Sequence, residues 1–281
     1  MSAEILTGKT LAAEIRASVS HEAAQLIDHG VTPCLAVVIA TEDETANFYV
    51  KHIISAAEKT SVLAHIEQLS PTATKEELTA KIMNLAADNN VHGIILQTPL
   101  PTGVIADDLR TLIPPEKDVD GANPLSAGRL LCGIKAFAPS TAAAVMNILQ
   151  RHEIALKGAR VVIIGRSLVV GKPLAHLMLA ADATVTICHS KTRDLAIVAQ
   201  EADILVVAIG RPNYITAEYV KQGAIVIDVG TNVQPDGSLV GDIDSNSIQT
   251  IAKAYTPVPG GVGPVTTALL LKQTIEATKQ T

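Results

Sequence analysis

Residues 160–173 read Arg-Val-Val-Ile-Ile-Gly-Arg-Ser-Leu-Val-Val-Gly-Lys-Pro. The apolar run Val161–Ile164 suits a strand buried on both faces, and Gly165 ends it where the backbone can turn sharply. Gly171 and Pro173 then stand where a helix begins, because proline fits the first helical turn. Unpaired N–H groups at a helix start can receive an anion. The spacing is not G-x-G-x-x-G, so on its own the turn reads either as a nucleotide cradle or as a tight strand-to-helix connection.

Working outward, the strand candidates Arg160–Ile164, Ala183–Cys188, Ile204–Ile209 and Ala224–Val229 alternate with helical segments, the pattern of a compact mononucleotide-binding sheet. Upstream, a helix over Leu11–Asp28 precedes the buried strand Cys34–Ala40, a helix about Asn47–Lys59 and a strand within Ser61–Leu69. Thr74 and Glu77 form a capping box that opens a helix through Leu78, Ile82 and Leu85, and Val91–Gln97 is a further buried strand. Strand–helix alternation of this kind implies parallel sheets with helices on their faces. Pro114–Gly128, with Pro114, Pro115, Pro124 and Gly121, reads as an irregular functional loop. Pro264 opens a final amphipathic helix that packs back on the first domain. The expected domains are 1–138, completed by 264–281, and 139–263.

Of the 281 residues, 48% are hydrophobic, which excludes disorder as the main theme. Only 2% are aromatic and the net charge is −6, so neither a base-stacking nucleic-acid surface nor a membrane-binding basic face is expected. Cys34, Cys132 and Cys188 are odd in number and widely spaced, which excludes a zinc pattern or a disulfide framework; they read as reduced, buried thiols, with no metal site. The start of the chain lacks a basic segment followed by an apolar run, so a cytoplasmic protein is expected.

A site selective for NAD ends its second strand with Asp or Glu to hold the ribose hydroxyls. Here that strand ends Cys188-His189-Ser190-Lys191-Thr192-Arg193, with no carboxylate. Arg166, Ser190 and either Lys191 or Arg193 can instead hold a ribose phosphate, so NADP is preferred to NAD. The alternative for Lys191 and Arg193 is a solvated basic turn, and His189 reads as structural or as facing the cofactor.

Several long stretches resemble the bifunctional methylenetetrahydrofolate dehydrogenase/cyclohydrolase family. They include Gly93–Pro101 (GIILQTPLP), Lys117–Gly121 (KDVDG), Gly128–Leu130, Gly165–Pro173, Ala183–Ser190, Ala202–Gly210, Ala224–Gly230, Val240–Asp242 and Thr256–Pro264 (TPVPGGVGP). The resemblance implies an N-terminal three-layer α/β catalytic domain and a C-terminal Rossmann-like NAD(P)-binding domain with a cleft between them. It also implies a homodimer and NADP-linked oxidation of methylenetetrahydrofolate. Carried over by position, Tyr49 stacks on the folate, Gln97 lies beside the reacting centre and Asp120 binds the pterin, whose adjacent N–H donors suit one carboxylate. Pro259, Gly260 and Gly261 line the substrate wall, and Gly165, Arg166, Ser167, Gly171, His189, Ser190 and Thr231 are expected at the cofactor.

One departure matters for the chemistry. The family pattern Tyr-Val-x-x-Lys stands here as Tyr49-Val50-Lys51-His52-Ile53, so the position four residues on carries isoleucine. Lys51 is about 200° round the helix from Tyr49, whereas His52 is within about 60° and is the candidate substitute base. Hydride loss from a carbon between two nitrogens needs orientation rather than a protein base. Hydrolysis of the resulting cation needs proton transfer, so weak or absent cyclohydrolase activity is expected. Two other departures, Ser140-Thr141-Ala142 and Ser126-Ala127-Gly128, fall at the expected edge between domains. A non-catalytic folate- or nucleotide-binding paralogue is the competing reading. Another NADP oxidoreductase of similar build, acting on a small hydroxy or amino acid, is the third.

Overall fold

A computed structural model describes residues 2–280. The chain forms two compact units: residues 13–140 with 267–280, and residues 2–12 with 141–266.

The first unit begins in helix α1 (Lys9–Asp28), then alternates β2 (Cys34–Ile39), α2 (Glu44–Glu58), β3 (Leu63–Gln68), α3 (Lys75–Ala87) and β4 (Gly93–Leu96). Its sheet is parallel, in the order β3-β2-β4, and all six residues of the central β2 are buried. Successive strand side chains point to opposite faces. Leu35, Val37 and Ile39 therefore join a core with Val19, Ala23, Val50, Ile53 and the late residues Leu270, Leu271 and Ile275. Cys34, Ala36 and Val38 join a second core with Leu78, Ile82 and Leu85 of α3. One strand thus feeds two cores, which gives the expected three layers. The Thr74 capping box forms as read, with both of its hydrogen bonds present.

After the short α4 (Ala106–Arg110), the proline-rich segment is more ordered than its composition suggests. Asn123 accepts from the Leu125 N–H at 2.6 Å and caps α5 (Pro124–Leu131), with Pro124 in the first turn. The irregular-loop reading is corrected there, because a proline at a helix start signals order. Helix α6 (Ser140–Arg151) leads into the second unit.

That unit has β5 (Arg160–Ile164), α7 (Gly171–Ala180), β6 (Thr184–Cys188), α8 (Leu195–Ala199), β7 (Ile204–Val207) and β8 (Ile225–Asp228). A hairpin of β9 (Asn232–Val233) and β10 (Leu239–Val240), helix α9 (Ser245–Ile248), β11 (Ala254–Tyr255) and α10 (Val262–Thr278) complete the chain. Strand β1 (Glu4–Ile5) pairs with β11, so the six-stranded parallel sheet runs β1-β11-β8-β7-β5-β6. Residues 2–12 accordingly group with the second unit; the expected assignment of the whole 1–138 stretch to the first is corrected by that strand pairing. Among the described residues no helix is long and apolar enough to cross a membrane, and no cluster of metal-ligating side chains occurs.

Candidate functional site

In the first unit Tyr49 lies on α2, which follows the carboxyl end of β2, and Gln97 follows that of β4. The Asp43 side chain accepts from the Ala46 N–H at 2.8 Å and starts α2 directly after β2. Tyr49 sits one turn before Ile53 on the same face, and both pack in the same core. Ile53 is fully buried, with 0% of its surface exposed. His52 instead lies exposed, its ring 4.1 Å from the Phe48 ring on the neighbouring face. Gln97 extends β4 by one ladder bond, its N–H donating to the Val38 carbonyl at 2.8 Å, while its side-chain amide donates to the Thr98 carbonyl at 3.1 Å.

The Lys117–Gly121 stretch divides its charges between scaffold and site. The Lys117 ammonium donates to the Ala86 and Asp88 carbonyls at 2.9 and 2.6 Å, which satisfies the end of α3. Asp118 accepts from the Ala122 and Asn123 N–H groups, both at 2.9 Å, and is 1% exposed. Asp120 remains. Burial first, and then the Asp118 charge, push its carboxyl up to about 7, against the Arg110 guanidinium and the backbone and hydroxyl donors of Ser140. The Tyr49 phenol is pushed up by burial and then by the Asp120 charge. From α10, Gln273 donates to the Val119 carbonyl at 2.6 Å and to the Ser140 hydroxyl at 3.1 Å, fixing the backbone just before Asp120. Ser140, one of the departures noted above, is therefore a direct partner of Asp120.

In the second unit, β5 lies between β6 and β7, so the chain reverses its direction of travel across the sheet at β5. Ligands of open α/β sheets bind outside the carboxyl ends of the strands at such a point. Gly165 sits there with φ +130°, and a Cβ on it would collide with the Ala208 carbonyl oxygen after β7. A Cβ on Gly171 would in turn collide with the Gly165 carbonyl. Only glycine permits either approach. Arg166, Ser167, Ser190, Lys191 and Arg193 are exposed, and among the described residues none of the three cations is in an ion pair. Pro173 is buried in the first turn of α7. The fit to a dinucleotide is good: a tight turn with glycine at both ends at a helix start, with free donors at the ends of β5 and β6.

The remaining expected residues are placed as follows. His189 is taken up locally, its Nδ1 accepting from the Lys191 N–H at 3.1 Å, which favours the structural reading. Thr231 is exposed between Gly230 and Asn232. The Pro259–Gly261 turn lies in the second unit, where the Gly260 carbonyl accepts from the Gly8 N–H at 2.9 Å. The Lys9 Cε lies 2.9 Å from the Cβ position that Gly260 lacks. Lys9 was not singled out in the sequence; its closeness to residue 260 depends on β1 pairing with β11. A cavity of about 380 Å³ in this unit is lined by Asn213, Asp228, Asp244 and Thr256 among others, and by none of the expected site residues. Cys34 and Cys188 are buried, with Cys34 pushed up to about 11 by burial and then by the Asp88 charge, but Cys132 is exposed, contrary to expectation. It follows α5, whose last residue Leu131 also faces solvent.

The second sheet and its glycine turn define an α/β unit of the dinucleotide-binding kind, joined to a second α/β unit that holds the half-buried Tyr49 and Asp120. Comparison with known proteins narrows this class. The tetrahydrofolate dehydrogenase/cyclohydrolase NAD(P)-binding domain matches residues 139–281, and the catalytic domain of the same family matches residues 6–120. Bifunctional protein FolD 1 of Saccharopolyspora erythraea is 54% identical over 272 residues, covering 97% of this chain and 93% of its own. The structure of the Campylobacter jejuni bifunctional enzyme FolD, a methylenetetrahydrofolate dehydrogenase/cyclohydrolase, is similar at TM-score 0.94 and 39% identity over 99% of both chains. That of the Trypanosoma brucei enzyme, complexed with NADP cofactor and inhibitor, is similar at TM-score 0.94 and 34% identity, covering 100% of this chain and 98% of its own. The chain belongs to the tetrahydrofolate dehydrogenase/cyclohydrolase family, and it is an enzyme of that family.

Proposed function

We propose that the chain oxidises methylenetetrahydrofolate to methenyltetrahydrofolate with NADP, and that hydrolysis of the methenyl product is weak or lost. The coenzyme, when bound, supplies the hydride acceptor. Gly165 and Gly171 let the turn between β5 and α7 pack tightly against Ala208 and against itself, which brings the start of α7 to the coenzyme's phosphates. Arg166 and Ser190 hold the ribose phosphate, with Lys191 or Arg193 adding charge. This reading is supported by the exposed, unpaired state of the cations and by the NADP in the trypanosomal relative.

Tyr49, Gln97 and Asp120 hold the folate. Tyr49 offers a ring face for stacking, and Asp120 accepts the two adjacent pterin donors once it is ionised. Gln97 orients the reacting centre. The oxidised carbon lies between two nitrogens whose lone pairs stabilise the positive charge, so these residues bind and orient without having to move a proton.

The hydrolytic step is different, because water must lose a proton as it adds. The observation that carries the proposal is Ile53: it occupies the position one turn after Tyr49 and is wholly buried hydrocarbon. His52 is not assigned the role, since its exposed ring packs on Phe48. NADPH formation and methenyl loss, followed separately on purified chain, test the proposal. Substrate-dependent NADPH formation with little methenyl loss is expected. An absence of NADPH formation would leave only a binding protein of the same fold. The homodimer that the family resemblance implies is proposed on the same footing, and the solution mass decides it.

A further inference from the structure

Beyond the expected cofactor residues, the second unit holds two buried carboxylates that the proposed chemistry does not use. Asp242 is 0% and Asp228 is 4% exposed. The turn after β7 aims three successive backbone N–H groups at Asp242. Ile209 donates to its Oδ2 at 2.7 Å, Gly210 to the same oxygen at 2.9 Å and Arg211 to its Oδ1 at 2.8 Å. Converging N–H groups of this kind form a concavity suited to an anion, and here the chain's own carboxylate fills it. The Asn232 amide adds a fourth bond to Oδ1 at 3.0 Å.

Asp228, at the end of β8, continues the array. It accepts from the N–H groups of Gly230 at 2.9 Å, Asp242 at 3.0 Å and Ile243 at 3.0 Å. Two glycines make the close approach possible: a Cβ on Gly230 would collide with the Asp242 carboxylate, and one on Gly241 with that of Asp228. The two carboxylates therefore tie together the turn after β7, the turn after β8 and the strand end at Val240–Ile243. Both turns lie at the carboxyl edge of the sheet, where the coenzyme belongs. Thr231, the expected cofactor contact, sits between Gly230 and Asn232, each of which is held by one of the two carboxylates. The Ala208 carbonyl that touches Gly165 immediately precedes the clamped turn.

We infer that Asp242 is a positioning residue for the coenzyme, fixing the Ile209–Arg211 turn and, through Asn232, the Thr231 backbone in the geometry that receives the dinucleotide. It acts through the backbone it holds and touches no reacting atom. The inference rests on the reading that places NADP at this edge.

The experiment uses the full chain and titration calorimetry with NADP, together with steady-state kinetics. Asp242→Asn keeps the shape of the side chain but turns an NH₂ toward backbone donors. A rise of about tenfold or more in the Kd and KM for NADP is expected, which corresponds to about 1.4 kcal/mol, with kcat within about threefold of the parent. Asp244→Ala removes the cap of α9, whose Asn246 and Ser247 N–H groups it receives, and serves as the control for mere destabilisation. It should melt lower and bind NADP as the parent does. Unchanged NADP affinity in a folded Asp242→Asn protein overturns the inference, as does an equal loss of affinity in Asp244→Ala. If Asp242→Asn does not fold, Asn232→Ala decides: a roughly threefold weaker Kd supports the inference and an unchanged one overturns it. A parent chain that binds no NADP overturns the coenzyme reading itself, and this inference with it.

Discussion

Replacing Ile53 with lysine is the perturbation that separates the two halves of the proposed chemistry. The isoleucine is completely enclosed, between Val50 and Ala57 on the buried face of α2 and against Leu270, Leu271 and Ile275. Removing such a side chain from its core forfeits about 2 kcal/mol of burial, and a charged replacement adds a desolvation penalty that can be several kcal/mol. Lysine limits the damage, because its long hydrocarbon stem can fill much of the same space. A net loss of about 2–4 kcal/mol follows, which for a chain of this size lowers the melting temperature by about 5–15 °C. In exchange, the cation gains a proton-transfer group, and methenyl hydrolysis should rise by about 10²–10⁴-fold while NADPH formation changes little. The assay follows methenyl absorbance and NADPH absorbance in separate runs on the parent, Ile53→Lys and His52→Ala. His52→Ala should alter neither rate appreciably. A folded Ile53→Lys protein with hydrolysis within threefold of the parent would refute the reasoning, and so would a parent that already hydrolyses as fast as the lysine variant.

Four further outcomes follow from the described geometry. Asp120 titrates at about 7 in the free protein and must be ionised to accept two pterin donors, so kcat/KM for the folate should fall about tenfold per pH unit below 7; a flat profile from pH 5 to 8 would remove Asp120 from that role. The same shift has a stability consequence. An unfolded aspartate titrates near 3.9, so the folded state binds the extra proton between about pH 4 and 7, and that contribution is lost as the pH rises through 7. Asp120→Asn should therefore melt higher than the parent at pH 8, with the gap closing toward pH 4. Ser190→Asp puts a carboxylate where the ribose phosphate is expected and should raise the KM for NADP more than that for NAD; an unchanged ratio would move the phosphate site elsewhere. Gly165→Ala meets the Ala208 carbonyl in a backbone conformation with φ +130° and should abolish NADP binding or folding; a stable variant with parental affinity would contradict the glycine-turn argument.

The parts of the fold that were legible in the sequence are those governed by local rules. Buried parallel strands leave continuous apolar runs, and Cys34–Ile39, Arg160–Ile164 and Ile204–Val207 fall inside the segments so read. The capping box at Thr74 and Glu77 is complete within four residues, so nothing distant was needed to see it. What the sequence concealed was pairing at long range. Glu4–Ile5 is too short to carry a strand pattern, and only its register with Ala254–Tyr255 assigns the first dozen residues to the second unit. The proline-rich segment is obscure for the opposite reason: proline breaks a helix interior, yet after an Asn cap it begins a helix.

The candidate site divides along the same line, and the division explains which carboxylates matter for which task. The Lys-Asp-x-Asp-Gly string presents two aspartates of equal chemical capacity. Sequence alone cannot show that the N–H groups of residues 122 and 123 engage Asp118 while Ser140 serves Asp120. Asp228 and Asp242 are hidden more deeply still, because their partners are backbone N–H groups, which every residue but proline possesses. Three N–H donors on each of these two aspartates leave little capacity for a ligand, so a buried carboxylate in this chain is read by its donors. Where backbone donors engage both oxygens, as at Asp118, Asp228 and Asp242, the group holds the fold in position. Where burial is matched by only one residue's donors, as at Asp120 with Ser140, acceptor capacity remains for a substrate.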